Sequence, residues 1–380
     1  MKEKIKVLFL ATANNIHTVK WVNSLCEEFE VHLAYCKGHG EDINKIDKRI
    51  VLHELKFKAP LGYYLNAYQL RKLFNNISAD LINVHYASGY GTLVRIARIK
   101  PVLLSLWGSD VYDFPNESKI KKKILTKNVN YADKIASTSS VMAEELKRQV
   151  QNINKDIYIT PFGVDTEKFK KKPNRNKEKE TFNIGNIKTL EKKYGIEFNI
   201  LAIRKLIDKL NSQGDTQRAK SIRMYIYGDG SQKESLENLI KDNQLENVVF
   251  LKGRIPNDEV PNALNELDVF CPTSNNESFG VAVVEAMACE VPVVATDADG
   301  FKEVIEDNKT GYLVERKNVE QIAEALEKVL FLTTEEREKM GALGRKKVLE
   351  KYDWIKNVEK MKEIYNHIVA ENKEEKWDIL

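Results

Sequence analysis

The chain has little cysteine: Cys26, Cys36, Cys271 and Cys289 are the only four in 380 residues. They are scattered through apolar stretches, with no CxxC pair and no metal-type spacing to the six histidines. That excludes a disulfide framework and points to buried thiols in a reducing compartment. No apolar run approaches the roughly 20 residues needed to span a bilayer. A net charge of +4, from 60 basic and 56 acidic residues, is too small for a dedicated nucleic-acid binder. No G-x-G-x-x-G follows the first strand of either half, which argues against a dinucleotide-dependent enzyme. The opening MKEKIKVLFLAT has the basic start and apolar centre of a secretory leader. Its apolar part is short, however, and runs into Asn14-Asn15 without a small-residue cleavage pattern. It reads as a buried first strand, and the protein as cytoplasmic.

What is present is an alternation. Hydrophobic residues make up 42% and charged residues 31%, ordinary for a folded chain, and the length exceeds one core. Residues 5–11 (IKVLFLA) form an unbroken apolar run, as a parallel strand covered on both faces does. A helical pattern at 17–29 follows, with Val19, Val22, Leu25, Cys26 and Phe29 on one face. Strand-like runs recur at 31–35, 81–84, 102–106, 134–137 and 156–160, then at 182–186, 222–227, 248–251, 268–271 and 292–295. Between the two sets lies KFKKKPNRNKEKE (168–180), too charged for a core and read as an exposed linker. The expectation is two doubly wound α/β domains, with ligands at the carboxyl ends of their strands and a site in a cleft between them.

The most informative stretch is CPTSNNESFGVAVVEAMACEVPVVAT, 271–296. A strand gives way to a polar loop, then to Gly280 and a helical run. Glycine lets a ligand approach the backbone, and the free amides of the next helical turn form an anion site. Glu277 precedes that site and Glu285 lies inside the helix, about two turns further on. Carboxylates accept from vicinal hydroxyls, so the pair could hold a sugar and a ribose on either side of a diphosphate. The plain alternative is a capping Glu277 and a solvated Glu285.

The pattern E-S-F-G-x4-E followed by A-M-A-C-E-x-P-V-V-A-T resembles the donor-binding motif of retaining GT-B glycosyltransferases (family 4). Gly228-Asp229-Gly230 resembles the family's glycine loop. Gly253-Arg254-Ile255-Pro256 is similar to the loop that meets the nucleotide base. Pro161-Phe162-Gly163-Val164-Asp165 resembles the junction motif, and Asn186 to Gly195 the segment whose basic residues hold the diphosphate. The resemblance spans essentially the whole chain, and several motifs in order are far more specific than any one. It implies a GT-B fold: an acceptor-side domain over 1–165, a nucleotide-sugar domain over 166–352, and a helix over 353–380 crossing back to the first. It implies that Glu285 binds the ribose, that Glu277 binds a donor-sugar hydroxyl, and that the amides of Phe279, Gly280 and Val281 meet sugar and phosphates. Gly228, Gly230, Arg254 and Ile255 would complete the donor pocket. Lys193 would neutralise the departing diphosphate, where charge counts most. The family's arginine in the first strand of the second domain is here Asn186, so Lys188 is assigned the second positive charge, without arginine's bidentate fork.

On the acceptor side the resemblance places Asn15 and His17 after the first strand, where this chain lacks the family's glycines, and His85 at the end of another. Trp107 stands in Trp107-Gly108-Ser109-Asp110 where many members carry a histidine, and Asp110 would orient the site. Asp297-Ala298-Asp299 imitates the D-x-D metal motif of the other glycosyltransferase fold but is read as coincidence. No metal or cofactor is expected. The implied reaction moves a sugar from UDP or GDP to a glycan or lipid-linked acceptor, as in surface polysaccharide synthesis. The rivals are a nucleotide-sugar epimerase and a non-catalytic sugar-nucleotide binder. The basic segment Ser118–Lys127, with Tyr63, Tyr64 and Leu65, is an expected contact with the inner membrane face, a solvated helix being its alternative.

Overall fold

In a computed structural model that describes residues 4–41, 43–173 and 180–377, the chain divides into two compact units. The first is Met1–Phe162 with Ile355–Leu380, the second Gly163–Trp354. The division falls three residues before the expected 165/166 boundary.

The first unit runs β1 (Lys6–Leu10), α1 (Ile16–Leu25), β2 (Glu30–Lys37), β3 (Val51–Lys58), α2 (Gly62–Leu65), α3 (Ala67–Ile77), β4 (Leu81–His85) and α4 (Gly89–Ala97). It continues with β5 (Val102–Leu106), α5 (Ser109–Tyr112), α6 (Phe114–Glu117), α7 (Lys119–Tyr131), β6 (Lys134–Ser137), α8 (Ser140–Gln149) and β7 (Ile157–Ile159). All seven strands pair in parallel, in the order β3-β2-β1-β4-β5-β6-β7. KVLFL, LINVH and VLLSL are apolar because their strands are covered on both faces, and Phe9 sits in register with Leu33 on one side and Asn83 on the other. β3 was not anticipated. It is the edge strand, VLHELKFK, mostly exposed and lysine-bearing, so it lacks the continuous apolar run that marks the others.

The second unit runs β8 (Phe182–Ile187), a short 3₁₀ turn Lys192–Tyr194, α9 (Ile196–Ser212), α10 (Thr216–Ser221), β9 (Ile222–Tyr227), α11 (Lys233–Asp242), β10 (Val249–Gly253) and α12 (Val260–Asn265). Then come β11 (Val269–Phe270), α13 (Val281–Ala288), β12 (Val293–Thr296), α14 (Asp299–Val304), β13 (Gly311–Val314), α15 (Val319–Phe331) and α16 (Thr334–Lys351). Its six parallel strands are ordered β10-β9-β8-β11-β12-β13. The unanticipated β13 is a four-residue edge strand. Ile200, Ile203 and Leu206 of α9 share one face at helical spacing and close over Ile184, Met224 and Ile226.

The expected linker is in part a docked segment. Phe169 is buried, Lys168 pairs with Asp258 at 2.7 Å, Lys171 pairs with Glu338 at 3.0 Å, and the Lys172 amide donates to Asn265. Residues 174–179 of that linker lie outside the described residues. The C-terminal helix α17 (Trp354–Trp377) is long, and from Ile355 it belongs to the first unit. There Asn83 Nδ2 donates to the Tyr365 hydroxyl at 2.6 Å, and the Tyr365 ring packs edge-on against Phe9 and Phe29.

Each sheet reverses its winding once, between β1 and β4 in the first unit and between β8 and β11 in the second. At such a point the loops after the two strands diverge and leave a crevice at the carboxyl edge.

Candidate functional site

In the second unit, the loop after β8 carries Lys188, Lys193 and Tyr194, and the loop after β11 carries Glu277. They meet at the point of reversal. Lys188 Nζ lies 2.6 Å from Glu277 Oε2, with both side chains mostly shielded from solvent. Lys188 is also 4.3 Å from the Tyr194 ring centre and Lys193 is 5.1 Å from it, so one aromatic ring gathers both ammonium groups. The main chain of Glu277 is fixed through Gly300, whose N–H donates to the Glu277 carbonyl at 2.9 Å. The Asn275 amide donates to the Lys193 carbonyl at 2.9 Å, tying the two loops together.

Beneath them is a buried polar network that the sequence did not announce. Asn186 Nδ2 donates to Asn199 Oδ1 at 2.8 Å, Asn199 Nδ2 donates to the Cys271 carbonyl at 3.0 Å, and the Thr273 hydroxyl lies 2.8 Å from the Gly195 carbonyl. This clamps β8, α9 and the β11 loop to one another. Asn186, 1% exposed, is thus a structural strut with an unpartnered Oδ1. Lys188 and Lys193 bring positive charge to this edge, and Arg316 reaches the Asn275 carbonyl at 3.2 Å.

Helix α13 begins after Gly280, whose φ of +97° suits glycine. Its first intrahelical bond comes from the Val283 amide, so the amides of Val281 and Ala282 precede the ladder at the dipole's positive end. Phe279 contributes no side chain to solvent: it is buried, edge-on to Tyr352. Glu285 is half-buried within the helix. Arg254 is exposed and Ile255 half-buried just past β10, and the Gly253 carbonyl accepts from the Gly228 amide at 2.8 Å. Gly228 and Gly230 meet a packing requirement. A β-carbon on either would overlap the backbone of Lys188 or Leu190, so their bareness lets the two loops pack together. That packing is held by the amides of Lys188 and Leu190 donating to Tyr227 and Asp229. Asp297 is occupied by Arg316 and Asp299 by Lys302, and no trio of His, Cys, Asp or Glu among the described residues is placed to hold a metal ion.

In the first unit, the loops after β1 and β4 enclose a groove of about 690 Å³. Asn14 and Ile16 line one side, Tyr86, Ser88 and Tyr90 the other, and Tyr63 of α2 closes an end. Among the described residues, no charged side chain lines it. Tyr86 holds a φ of +73°, rare for a bulky residue and of the kind stored at binding sites. From sequence Tyr63 is a membrane-contact candidate and Tyr86 and Tyr90 have no assigned role; Tyr63 instead turns into the groove, because only the fold brings 63, 86 and 90 together.

Beside the groove is an aromatic cluster. His17 stacks on Phe162 at 3.8 Å, and Trp107 lies 4.4 Å from His85, 5.2 Å from Tyr86 and 5.4 Å from Phe162. Burial, with Lys20 nearby, lowers His17 to about 4; burial, with His17 nearby, lowers His85 to about 3. Both imidazoles are neutral at ordinary pH. His85 is fully enclosed with Nδ1 unpartnered. Asn15 lines the groove but spends Oδ1 on capping α1 through the His17 amide at 2.9 Å. Asp110 does not face a ligand. It is 1% exposed, and its carboxylate accepts from the amides of Ala87 at 2.8 Å, Trp107 at 3.1 Å and Gly108 at 2.9 Å. Burial pushes its carboxyl above the usual range while these donors pull against that. It fixes the β4 and β5 loops, and so orients Tyr86 and Trp107 from behind.

Comparison with known proteins adds the following. Residues 165–347 match the family described as "Glycosyl transferases group 1", and residues 6–139 match "Glycosyl transferase 4-like". An uncharacterised glycosyltransferase of Methanocaldococcus jannaschii is 27% identical over 93% of this chain and 94% of that protein. The N-acetyl-alpha-D-glucosaminyl L-malate synthase of Bacillus anthracis is 25% identical over 90% of this chain and 91% of that one. The Anabaena protein HepE, solved in complex with UDP, superposes with a TM-score of 0.80 over 96% of this chain and all of that one, at 17% identity.

Proposed function

Because the chain belongs to the glycosyl transferases of group 1, we propose that it is a retaining hexosyltransferase using a UDP- or GDP-sugar. The donor sits at the β8/β11 edge of the second unit. The acceptor, a glycan or a lipid-linked sugar in surface polysaccharide or glycoconjugate synthesis, sits in the tyrosine-lined groove of the first. The observation that carries this reading is the Lys188–Glu277 pair at 2.6 Å, beside the opening amides of α13. A lone ion pair is common. One that joins the two loops at a sheet's point of reversal, with a second lysine across a shared tyrosine, puts positive charge where a diphosphate is received.

In the proposed step the bond between the sugar's anomeric carbon and the diphosphate oxygen breaks. Lys188, Lys193 and the amides of Val281 and Ala282 take up the negative charge that develops on the leaving group. The acceptor oxygen bonds to the anomeric carbon on the face that the diphosphate leaves, and its proton passes to the departing oxygen. Glu277 accepts from a sugar hydroxyl while holding Lys188 in place, and Glu285 accepts from the ribose. The charge-free groove suits a neutral sugar ring, whose C–H faces pack on tyrosines and whose hydroxyls pair with Asn14 and Ser88. HepE's complex with UDP supports a uridine donor by analogy.

The test is kinetic and stereochemical. With UDP- and GDP-hexoses and simple glycoside acceptors, proton NMR of the first product should show the anomeric configuration of the donor. Glu285→Ala should raise the donor KM, while Glu277→Ala should lower kcat. An inverted product, or ordinary kinetics in both variants, would overturn the proposal.

A further inference from the structure

Helix α2 has two sides. Tyr63 turns inward, edge-on to Tyr90 at 5.3 Å and lining the groove. Around it Leu61 is 68% exposed, Tyr64 51%, Leu65 55% and Tyr68 79%, with Phe57 beside them at the end of β3. No other part of the described residues gathers so many large exposed apolar side chains in so short a span. The surface is firmly built. Asn66, wholly buried, accepts from the Phe57 amide at 3.0 Å and donates to the Phe57 carbonyl at 2.9 Å, pinning α2 and α3 to the sheet edge.

Its charge has one sign. From Leu55 to Ala79 there is no aspartate or glutamate, while Lys56, Lys58, Arg71 and Lys72 are all exposed. Glu54 precedes the stretch. Helix α4, packed against α2 and α3, adds Arg95 and no acid. On the far side of α4 lies α7, with Lys119, Ile120, Lys122, Lys123 and Lys127 exposed. Tyrosine and leucine ringed by lysine and arginine match the interface of a bilayer, where apolar side chains enter the headgroup layer and basic ones meet lipid phosphates.

We propose that the α2–α3 face docks on an anionic lipid bilayer. The same short helix that presents Leu61, Tyr64 and Leu65 to the membrane then closes the groove with Tyr63. An acceptor sugar on a lipid carrier would reach the groove while its tail stays in the bilayer. That last step rests on the groove being the acceptor site; the docking does not.

The test is sedimentation of the full chain with vesicles of phosphatidylcholine alone or containing about 30 mol% phosphatidylglycerol. The wild type should sediment with the anionic vesicles, stay in solution with the neutral ones, and be released by salt. A combined Leu61→Ser, Tyr64→Ser, Leu65→Ser, Tyr68→Ser variant, and separately Arg71→Glu with Lys72→Glu, should each lower the partition coefficient at least about tenfold. All are exposed positions, so the melting temperature should hold. Failure of the wild type to bind anionic vesicles, or unchanged binding by both variants, would overturn the proposal. So would a concentration-dependent dimer that the four-serine variant abolishes, which assigns the face to a second copy. Vesicle binding without sugar transfer would defeat the proposed function alone.

Discussion

Gly228 sits where β9 ends, with a φ of +151°. A β-carbon there would overlap the carbonyl oxygen of Lys188, a backbone atom held by the Lys188 amide's bond to Tyr227. Gly228→Ala therefore carries two costs. The left-handed backbone costs about 1–2 kcal/mol in any L-residue, and forcing a packed loop aside costs about 1–3 kcal/mol more. Gly214 separates these terms: its φ is +82°, but nothing lies within 4 Å of its missing β-carbon. Gly214→Ala should thus show the conformational cost alone. In urea unfolding, Gly228→Ala should be less stable than Gly214→Ala by about 2 kcal/mol at equal m-value. Turnover should separate them further. Moving Lys188–Leu190 takes the Lys188 ammonium from its 2.6 Å contact with Glu277, so kcat should fall in Gly228→Ala and hold in Gly214→Ala. Equal stability and equal turnover in the two variants would refute the claim that these glycines exist to seat one loop on the other.

Asp110→Ala leaves the amides of Ala87, Trp107 and Gly108 buried without their acceptor and should cost about 3–6 kcal/mol, seen as a lower melting temperature and an altered near-ultraviolet signal from Trp107. His85 titrates at 6.5 when exposed but near 3 when folded, so its contribution to stability is present above pH 6.5 and is lost as pH falls toward 3. By pH 4 that loss is roughly 2–4 kcal/mol, and His85→Phe should flatten the acid limb of the stability curve by that amount; an unchanged limb would show that the imidazole is not sealed from water.

Where one local rule suffices, the sequence was readable. Eleven of the strands announce themselves as apolar runs, most of them because parallel strands inside a sheet are covered on both sides. Glu277, Gly280 and Glu285 are legible because a turn, a helix start and two turns of helix fix their spacing whatever surrounds them. β3 and β13 escaped because VLHELKFK interrupts its apolar residues with charge and GYLV is only four residues long. Asp110 and Asn15 work with backbone amides: Asn15 caps its own helix two residues on, whereas the Ala87 amide that meets Asp110 comes from a loop 23 residues away. The Asn186–Asn199–Thr273 network and the groove of Tyr63, Tyr86 and Tyr90 were invisible for the same reason: their members are brought together by strand order alone. The lysine-rich stretch after residue 167 misled through composition, since Lys168 and Lys171 pair with Asp258 and Glu338 and Lys172 donates to Asn262 of α12.

The central claim is that the β8/β11 edge receives a sugar nucleotide, and ligand-linked melting tests it most directly. Purified chain should be screened against UDP, GDP and their hexose conjugates, wild type beside Glu285→Ala. One nucleotide series should raise the melting temperature of the wild type, by a stabilisation of about 2.7 kcal/mol at a hundredfold excess over Kd, and Glu285→Ala should need far more ligand for the same shift. If no nucleotide moves the wild type, or the variant responds as the wild type does, the donor site is not where this account puts it.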